Sequence, residues 1–357
     1  MKYSAAIILL FLLLGYACVN DKSTDQEAGT APSPVLRLNE PDLFRTLYPP
    51  ASKDIVSSHI ISQINDGLVK YDPQSLTIMP AIAKEWKIDP TGTVYTFILN
   101  DSVFFHNDLC FPGGTGRKVT ASDFSYTFQV LCTKSDENIN FFGTLDRVKG
   151  ARDYYEASMN GQPAFDIEGI KVVDDYTLEI TLESENPLFI YFLANPAAVV
   201  LPKEGIDKYG VDNKVGAGPF NFISFSENPA ELVLAKNINY YQKDKDGRRL
   251  PYLDTLKFTF AGGTQKELKM FEDGKLDLVS GIPADYIPEF LDKHINEFEA
   301  NPPLYVLAQS EEDTETEVYN LLHSYVQNFH TNRMNYMDFS VIYYEIPKKT
   351  ELTETKE

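Results

Sequence analysis

Residues 80–108 read PAIAKEWKIDPTGTVYTFILNDSVFFHND, and residues 116–128 read GRKVTASDFSYTF. Within the first, Val94-Tyr95-Thr96-Phe97-Ile98-Leu99 is β-branched and aromatic, the composition of a strand. Trp86, the only tryptophan, lies between Ala83 and Ile88 beside that strand and is expected in a core. In the second, Thr120-Ala121-Ser122-Asp123 has the form of a capping box. It opens a helix that carries Phe124, Phe128 and Leu131 on one face.

Strands and helices alternate on both sides of this stretch. Residues 54–66 place Ile55, Ile60, Ile61 and Ile64 at helical spacing, with Gly67 as a stop. Leu178, Ile180 and Leu182 alternate on one side of a strand, and 231–236 and 256–260 read as two more. Thr264-Gln265-Lys266-Glu267 opens a helix that Gly274 ends. Ser310 to Asp313 has the form of another capping box, and Val318, Leu321, Leu322, Tyr325, Val326 and Phe329 follow helical spacing. A last strand is expected over 336–344, with Met337, Phe339, Val341 and Tyr343 on one face. The interspersed elements make the fold class α/β or α+β.

The N-terminal end points to export. Lys2 precedes an unbroken apolar run from Ala5 to Leu14, too short for a membrane span but suited to a signal peptide over residues 1–17. Leu14-Gly15-Tyr16-Ala17-Cys18 resembles a bacterial lipobox, although Gly15 stands where a leucine is usual. Cys18 is therefore the expected lipidation site, and 18–35 the flexible linker behind the anchor. The body is expected over 36–346, and 347–357 is a frayed tail. Export permits a disulfide between Cys110 and Cys132, closing a loop of about 23 residues; two buried thiols are the other reading.

Chemistry is sparse. The formal net charge of −20 argues against nucleic acid, whose phosphates need Lys and Arg. The five histidines form no HExxH or similar ligand pair, so no metal is expected. His323 and His330, seven apart on the expected last helix, read as surface residues. Gly113-Gly114-Thr115-Gly116 follows Pro112 with the wrong spacing for phosphate and reads as a turn. Among so many acids no pair stands out as a general acid and base, so no enzyme is indicated.

A family resemblance rests on ordered matches. Asp66-Gly67-Leu68, Ile82-Ala83, Trp86, Tyr95-Thr96-Phe97, Phe105-His106 and Thr120-Ala121-x-Asp123 come first. Gly216-Ala217-Gly218-Pro219-Phe220, Pro251-Tyr252-Leu253-Asp254 and Gly274-Lys275-Leu276-Asp277 follow. Together they resemble the extracellular solute-binding proteins of family 5, the oligopeptide, dipeptide and nickel binders of ABC importers. Three departures fall in loops: Asn100 after the strand, Asn107-Asp108 for the usual Asp-Gly, and an inserted LCFPGGTG.

The resemblance implies a type II periplasmic-binding-protein-like fold. Its first lobe would comprise residues near 36–50, 165–282 and 303–346, with a smaller inserted lobe at 51–164. The second large lobe looks largely missing, because no Arg-Gln-Ala segment follows Pro283. The stretch NFHTNRMNYMDFSVIYYE resembles the terminal helix and strand of longer relatives. The implied role is a lipid-anchored receptor at the periplasmic face of a bacterial membrane. It would present a peptide or other small solute to ABC permease subunits and need no cofactor. Ala217 and Gly218 would line the cleft. One wall cannot close on a solute by hinge motion, so the alternative is a structural or protein-interaction module.

Overall fold

The computed structural model describes residues 34–300, 303–309, 318–324, 326–327, 329 and 337–344. β1 (Val35–Glu40) and α1 (Ile55–Ile64) come first. They are followed by β2 (Val69–Tyr71), β3 (Ile78–Pro80), β4 (Ala83–Ile88), β5 (Val94–Leu99), α2 (Ala121–Leu131), α3 (Ala151–Ser158), β6 (Ile170–Asp174), β7 (Thr177–Thr181), α4 (Phe189–Phe192) and α5 (Lys203–Tyr209). Then come β8 (Phe220–Glu227), β9 (Ala230–Lys236), β10 (Thr255–Phe260), α6 (Thr264–Glu272), β11 (Leu278–Pro283), α7 (Ile287–Glu299), β12 (Tyr305–Gln309), β13 (Val318–His323), β14 (Val326–Gln327) and β15 (Tyr343–Tyr344). Among these residues no helix is long and apolar enough to cross a membrane. The expected signal peptide, Cys18, the capping box at 310–313 and the tail lie outside the described residues.

The first sheet has the order β1-β10-β9-β8, with β1 parallel to β10 and the other pairs antiparallel. Alternate residues Leu36, Leu38, Leu232, Leu234, Leu256 and Phe258 are buried, as the period of a strand requires. They share one core with Ile60, Ile61 and Ile64 of α1. Asp54 caps that helix, its Oδ1 accepting from Ser57 N at 2.8 Å.

The second sheet is antiparallel, in the order β4-β5-β7-β6. Tyr95, Phe97, Leu178 and Ile180 pack with Phe124, Phe128 and Leu131 of α2, all fully buried or nearly so. Thr120 and Asp123 form the reciprocal capping box. Trp86 departs from expectation: it lies on the edge strand β4 and is half-buried, packed against the core from outside. The 51–164 boundary is also displaced. α1 belongs to the first core, and β7 pairs with β5 from Val94↔Thr181 to Ile98↔Thr177, so the second core runs from Leu68 to Ala217. Periodicity marks a strand but does not name its partner.

A third, smaller core lies between the sheet β11-β13-β12 and helices α6 and α7, around Phe271, Phe290 and Leu321. Here the first part of the expected helix over 318–329 is the strand β13, Val318–His323, instead. Leu321 faces the third core, while its neighbour Leu322 faces the first. A strand buried on both faces carries adjacent apolar residues, which imitates helical spacing. The expected strand over 336–344 is a 3₁₀ turn at Phe339–Val341 followed by the short β15, paired with β14. Met337, Phe339 and Ile342 nevertheless return to the first core.

Candidate functional site

A cavity of about 980 Å³ opens beyond the end of β1. Its walls are Leu38–Leu43 with Arg45, the start of α1 with His59, the first turn of α6 with Glu267, and Leu278, Ser280 and Gly281 of β11. Met337 and Phe339 complete it. Arg37 explains why the gap opens there. Its backbone N and Nε donate to Asp277 Oδ2 at 2.6 and 3.0 Å, and its Nη2 donates to Oδ1 at 2.5 Å. This clamp ties the middle of β1 to the head of β11 and leaves the following residues of both strands unpaired with each other. Asp277 is the acid of the Gly-x-Leu-Asp match. Between Val279 and Ile282 the β11 register shifts, and Gly281 adopts φ 69°, a conformation that suits glycine.

Polar groups on the wall are held in place. Asn39 Nδ2 donates to the Ala261 carbonyl at 3.0 Å and to Glu267 Oε1 at 3.1 Å, and its Oδ1 accepts from Ala261 N at 2.9 Å. His59 Nδ1 and Glu40 Oε1 meet at 2.9 Å, both buried. Burial first, and then the nearby Glu40 charge, raise the Glu267 carboxyl to about 7, against the Asn39 hydrogen bond. Leu43 and Ile55 add exposed apolar surface. The cavity thus combines apolar wall, fixed amides and charges of both signs, the composition of a ligand pocket.

The Gly216-to-Phe220 element lies elsewhere, where the chain crosses between the first two cores. Ile64 and Phe220 belong to the first, and Leu68 and Ala217 to the second. Gly218 N donates to the Ile64 carbonyl at 2.9 Å. A Cβ on Gly218 would stand 2.6 Å from Asn65 N and from the Ile64 carbonyl carbon; one on Gly216 would stand 2.2 Å from the Ile64 oxygen. These glycines permit close passage of two backbones. Both Ala217 and Gly218 are buried, and neither lines the cavity, contrary to the expectation. The same crossing holds Asp66, buried, whose Oδ2 accepts from Tyr240 and Tyr241 hydroxyls at 2.9 and 3.0 Å. Nearby, Lys70 Nζ donates to Asp338 Oδ2 at 2.9 Å.

Cys110 and Cys132 are free thiols, not the bridge weighed above. Cys132 is buried at the C-terminal end of α2, while Cys110 belongs to the inserted loop. That loop is secured differently: Tyr209 hydroxyl and Cys110 N both donate to Asp108 Oδ1 at 2.7 Å. The glycine run is a turn, with Gly113 and Gly114 at φ 70° and 73°. His323 lies on β13 and stacks on Phe271 at 4.4 Å, inside the structure rather than on a helix surface; His330 is outside the described residues. No group of three His, Cys, Asp or Glu suited to a metal occurs among the described residues. Sequence inspection missed Glu40, His59 and Glu267, because β1 and α6 meet only through the sheet.

The fold is that of the type II periplasmic binding proteins, which the chain matches in structure. The chain belongs to a family within that class: the model described as "Bacterial extracellular solute-binding proteins, family 5 Middle" matches residues 77–330. It is similar to the dipeptide-binding protein DppE of Bacillus subtilis, 27% identical over 304 residues, 81% of this chain and 51% of the relative. It is similar also to that organism's oligopeptide-binding protein OppA, 27% identical over 250 residues, 68% of this chain and 42% of the relative. Among solved structures, a periplasmic oligopeptide-binding protein of Borrelia burgdorferi, OppAIV, matches with a TM-score of 0.63 at 28% identity, covering 77% of this chain and 51% of that one. Listeria monocytogenes OppA bound to peptide matches with a TM-score of 0.62 at 25% identity, covering 79% and 51%. The chain spans about half the length of the curated relatives it matches.

Proposed function

We propose that this chain is a solute-binding component of an ABC-type import system and takes a short peptide into the cavity beyond β1. The observation that carries the reading is the cavity itself, about 980 Å³ with mixed apolar and charged walls, in a member of a solute-binding family. The relatives' names, dipeptide- and oligopeptide-binding, support a peptide over other solutes. The partners would be ABC permease subunits, and lipid on Cys18 would hold the protein at the periplasmic face of the membrane. Thermal unfolding in the presence of mixed tri- to pentapeptides tests the reading, since a ligand that binds only the folded state raises the midpoint by mass action. An unchanged midpoint at saturating peptide overturns it.

A second reading is favoured by the exposure of Leu43 (49%) and Ile55 (59%) on the cavity wall. Open apolar surface suits a protein-interaction module. In that case free peptides leave the midpoint unmoved.

A further inference from the structure

We propose that a second hollow, beside the C-terminal half of α2, binds a small neutral polyhydroxylated solute, a free sugar or a cyclic polyol. The inference does not rest on the peptide-binding reading, because none of the residues lining this hollow lines the cavity beyond β1.

The hollow measures about 260 Å³. That is below the roughly 300 Å³ at which pockets for drug-sized ligands begin, so its solute is small. Tyr48, Tyr126 and Tyr154 line it, with the amides of Gln129 and Gln162. Tyr48 is the informative member. It is only 7% exposed, yet its hydroxyl has no hydrogen-bond partner among the described residues and is not sealed from the surface. The Tyr126 hydroxyl also has no partner among them. Burial is the first cause that pushes both hydroxyls up to about 12, so both keep their protons and can donate as well as accept. The Tyr154 hydroxyl accepts from Gln162 Nε2 at 2.8 Å, which leaves its own proton to donate. Gln129 Nε2 donates to Asp166 Oδ1 at 3.2 Å, which leaves its oxygen to accept.

These groups select by what they lack. No charged side chain lines the hollow. Glu137 acts on Tyr48, and Asp207 and Glu204 on Tyr126, from outside the wall. A charged solute would therefore lose water without meeting an opposite charge. An apolar solute would leave the tyrosine hydroxyls and the amides unpaired. Hydroxyl groups on a compact ring meet both requirements, since each donates and accepts and the ring carbons rest against apolar phenol surface. The wall is also held in place before a solute arrives. Asn138 Nδ2 donates to the carbonyls of Val130, Leu131 and Thr133 at 3.2, 2.6 and 2.7 Å, tying the loop to the end of α2. That limits the ordering cost of binding.

Saturation-transfer NMR on the full chain would compare D-glucose and myo-inositol with gluconate and choline. Gluconate keeps the hydroxyls but adds a negative charge, and choline is a cation that tyrosine rings can hold through their faces. At least one neutral probe should bind about tenfold or more tightly than either charged one, and which of the two binds separates a sugar from a polyol. Amide shifts in the unsubstituted chain should centre on Thr133, Ser135 and Gln162, a readout that needs no variant. Ser135 lines the hollow from an exposed position, so Ser135→Trp obstructs it without demand on the core and should abolish the transfer. Tyr48→Phe keeps the ring, removes the hydroxyl and should weaken binding about fivefold. The proposal is overturned by no saturable binding of either neutral probe, by shifts centred elsewhere, or by gluconate or choline binding as tightly. Unchanged affinity in the folded variants overturns it too.

Discussion

His106 Nε2 donates to the Gly218 carbonyl at 3.0 Å, so a turn of the second core holds the strand that re-enters the first. The other ring nitrogen, Nδ1, faces the Gly216 N–H at 3.4 Å and can only accept there. The imidazole is therefore neutral, and burial holds it at about 4, below its ordinary 6.5, with the Gly218 bond opposing.

This makes stability pH-dependent in one direction. The unfolded chain takes up a proton on His106 near 6.5, while the folded chain resists until about 4. The contribution is complete above 6.5 and is lost as pH falls through that window. Urea unfolding should show a His106-dependent loss of about 1 kcal/mol between pH 7.5 and 5.5. A His106→Gln variant should lack that component; an identical pH slope in both proteins contradicts the assignment.

Gly218→Val should destabilise the fold by about 3 kcal/mol, because the added Cβ meets backbone atoms of Ile64 and Asn65 that cannot rotate away. Denaturant unfolding measures it. A variant of near-normal stability would show that this crossing yields, and would reopen a ligand role for Ala217 and Gly218.

Trp86→Ala should cost only about 1–2 kcal/mol, against the roughly 3–5 of a fully buried aromatic. The residue is half-buried on an edge strand. As the only tryptophan, it reports directly: iodide should quench its fluorescence in the folded protein. Complete protection from iodide would return it to the core.

Lys70 has Asp338 at 2.9 Å and also moderates the charge of buried Asp66. Lys70→Met leaves those carboxylates without that cation and should cost about 3–5 kcal/mol. Adding Asp338→Leu should recover part of the loss. Additive losses in the double variant would show that the pair is not coupled.

Much of the scaffold was legible because burial there is one-sided. Tyr95 and Phe97, Leu178 and Ile180, and Phe124, Phe128 and Leu131 each face one core, so their spacing reports their structure. β13 imitates a helix in the sequence because Leu321 and Leu322 face different cores. The Gly-x-Gly-Pro element stands out in the sequence, and its glycines permit close backbone passage at the crossing. The candidate site was not legible. Asn39 and Glu267 are joined across 228 residues by the sheet and carry no local pattern. Cys110 and Cys132 gave no sign of their separation for the same reason: proximity is a property of topology.

On the proposed reading a peptide occupies the cavity beyond β1. Ser280 lines that cavity from β11, half-buried, so Ser280→Trp obstructs it with little demand on the core. The decisive measurement is the thermal midpoint of both proteins with and without mixed tri- to pentapeptides. Peptide should raise the midpoint of the unsubstituted chain and leave that of a folded Ser280→Trp variant unchanged. An equal rise in both, or none in the unsubstituted chain at saturating peptide, contradicts the account.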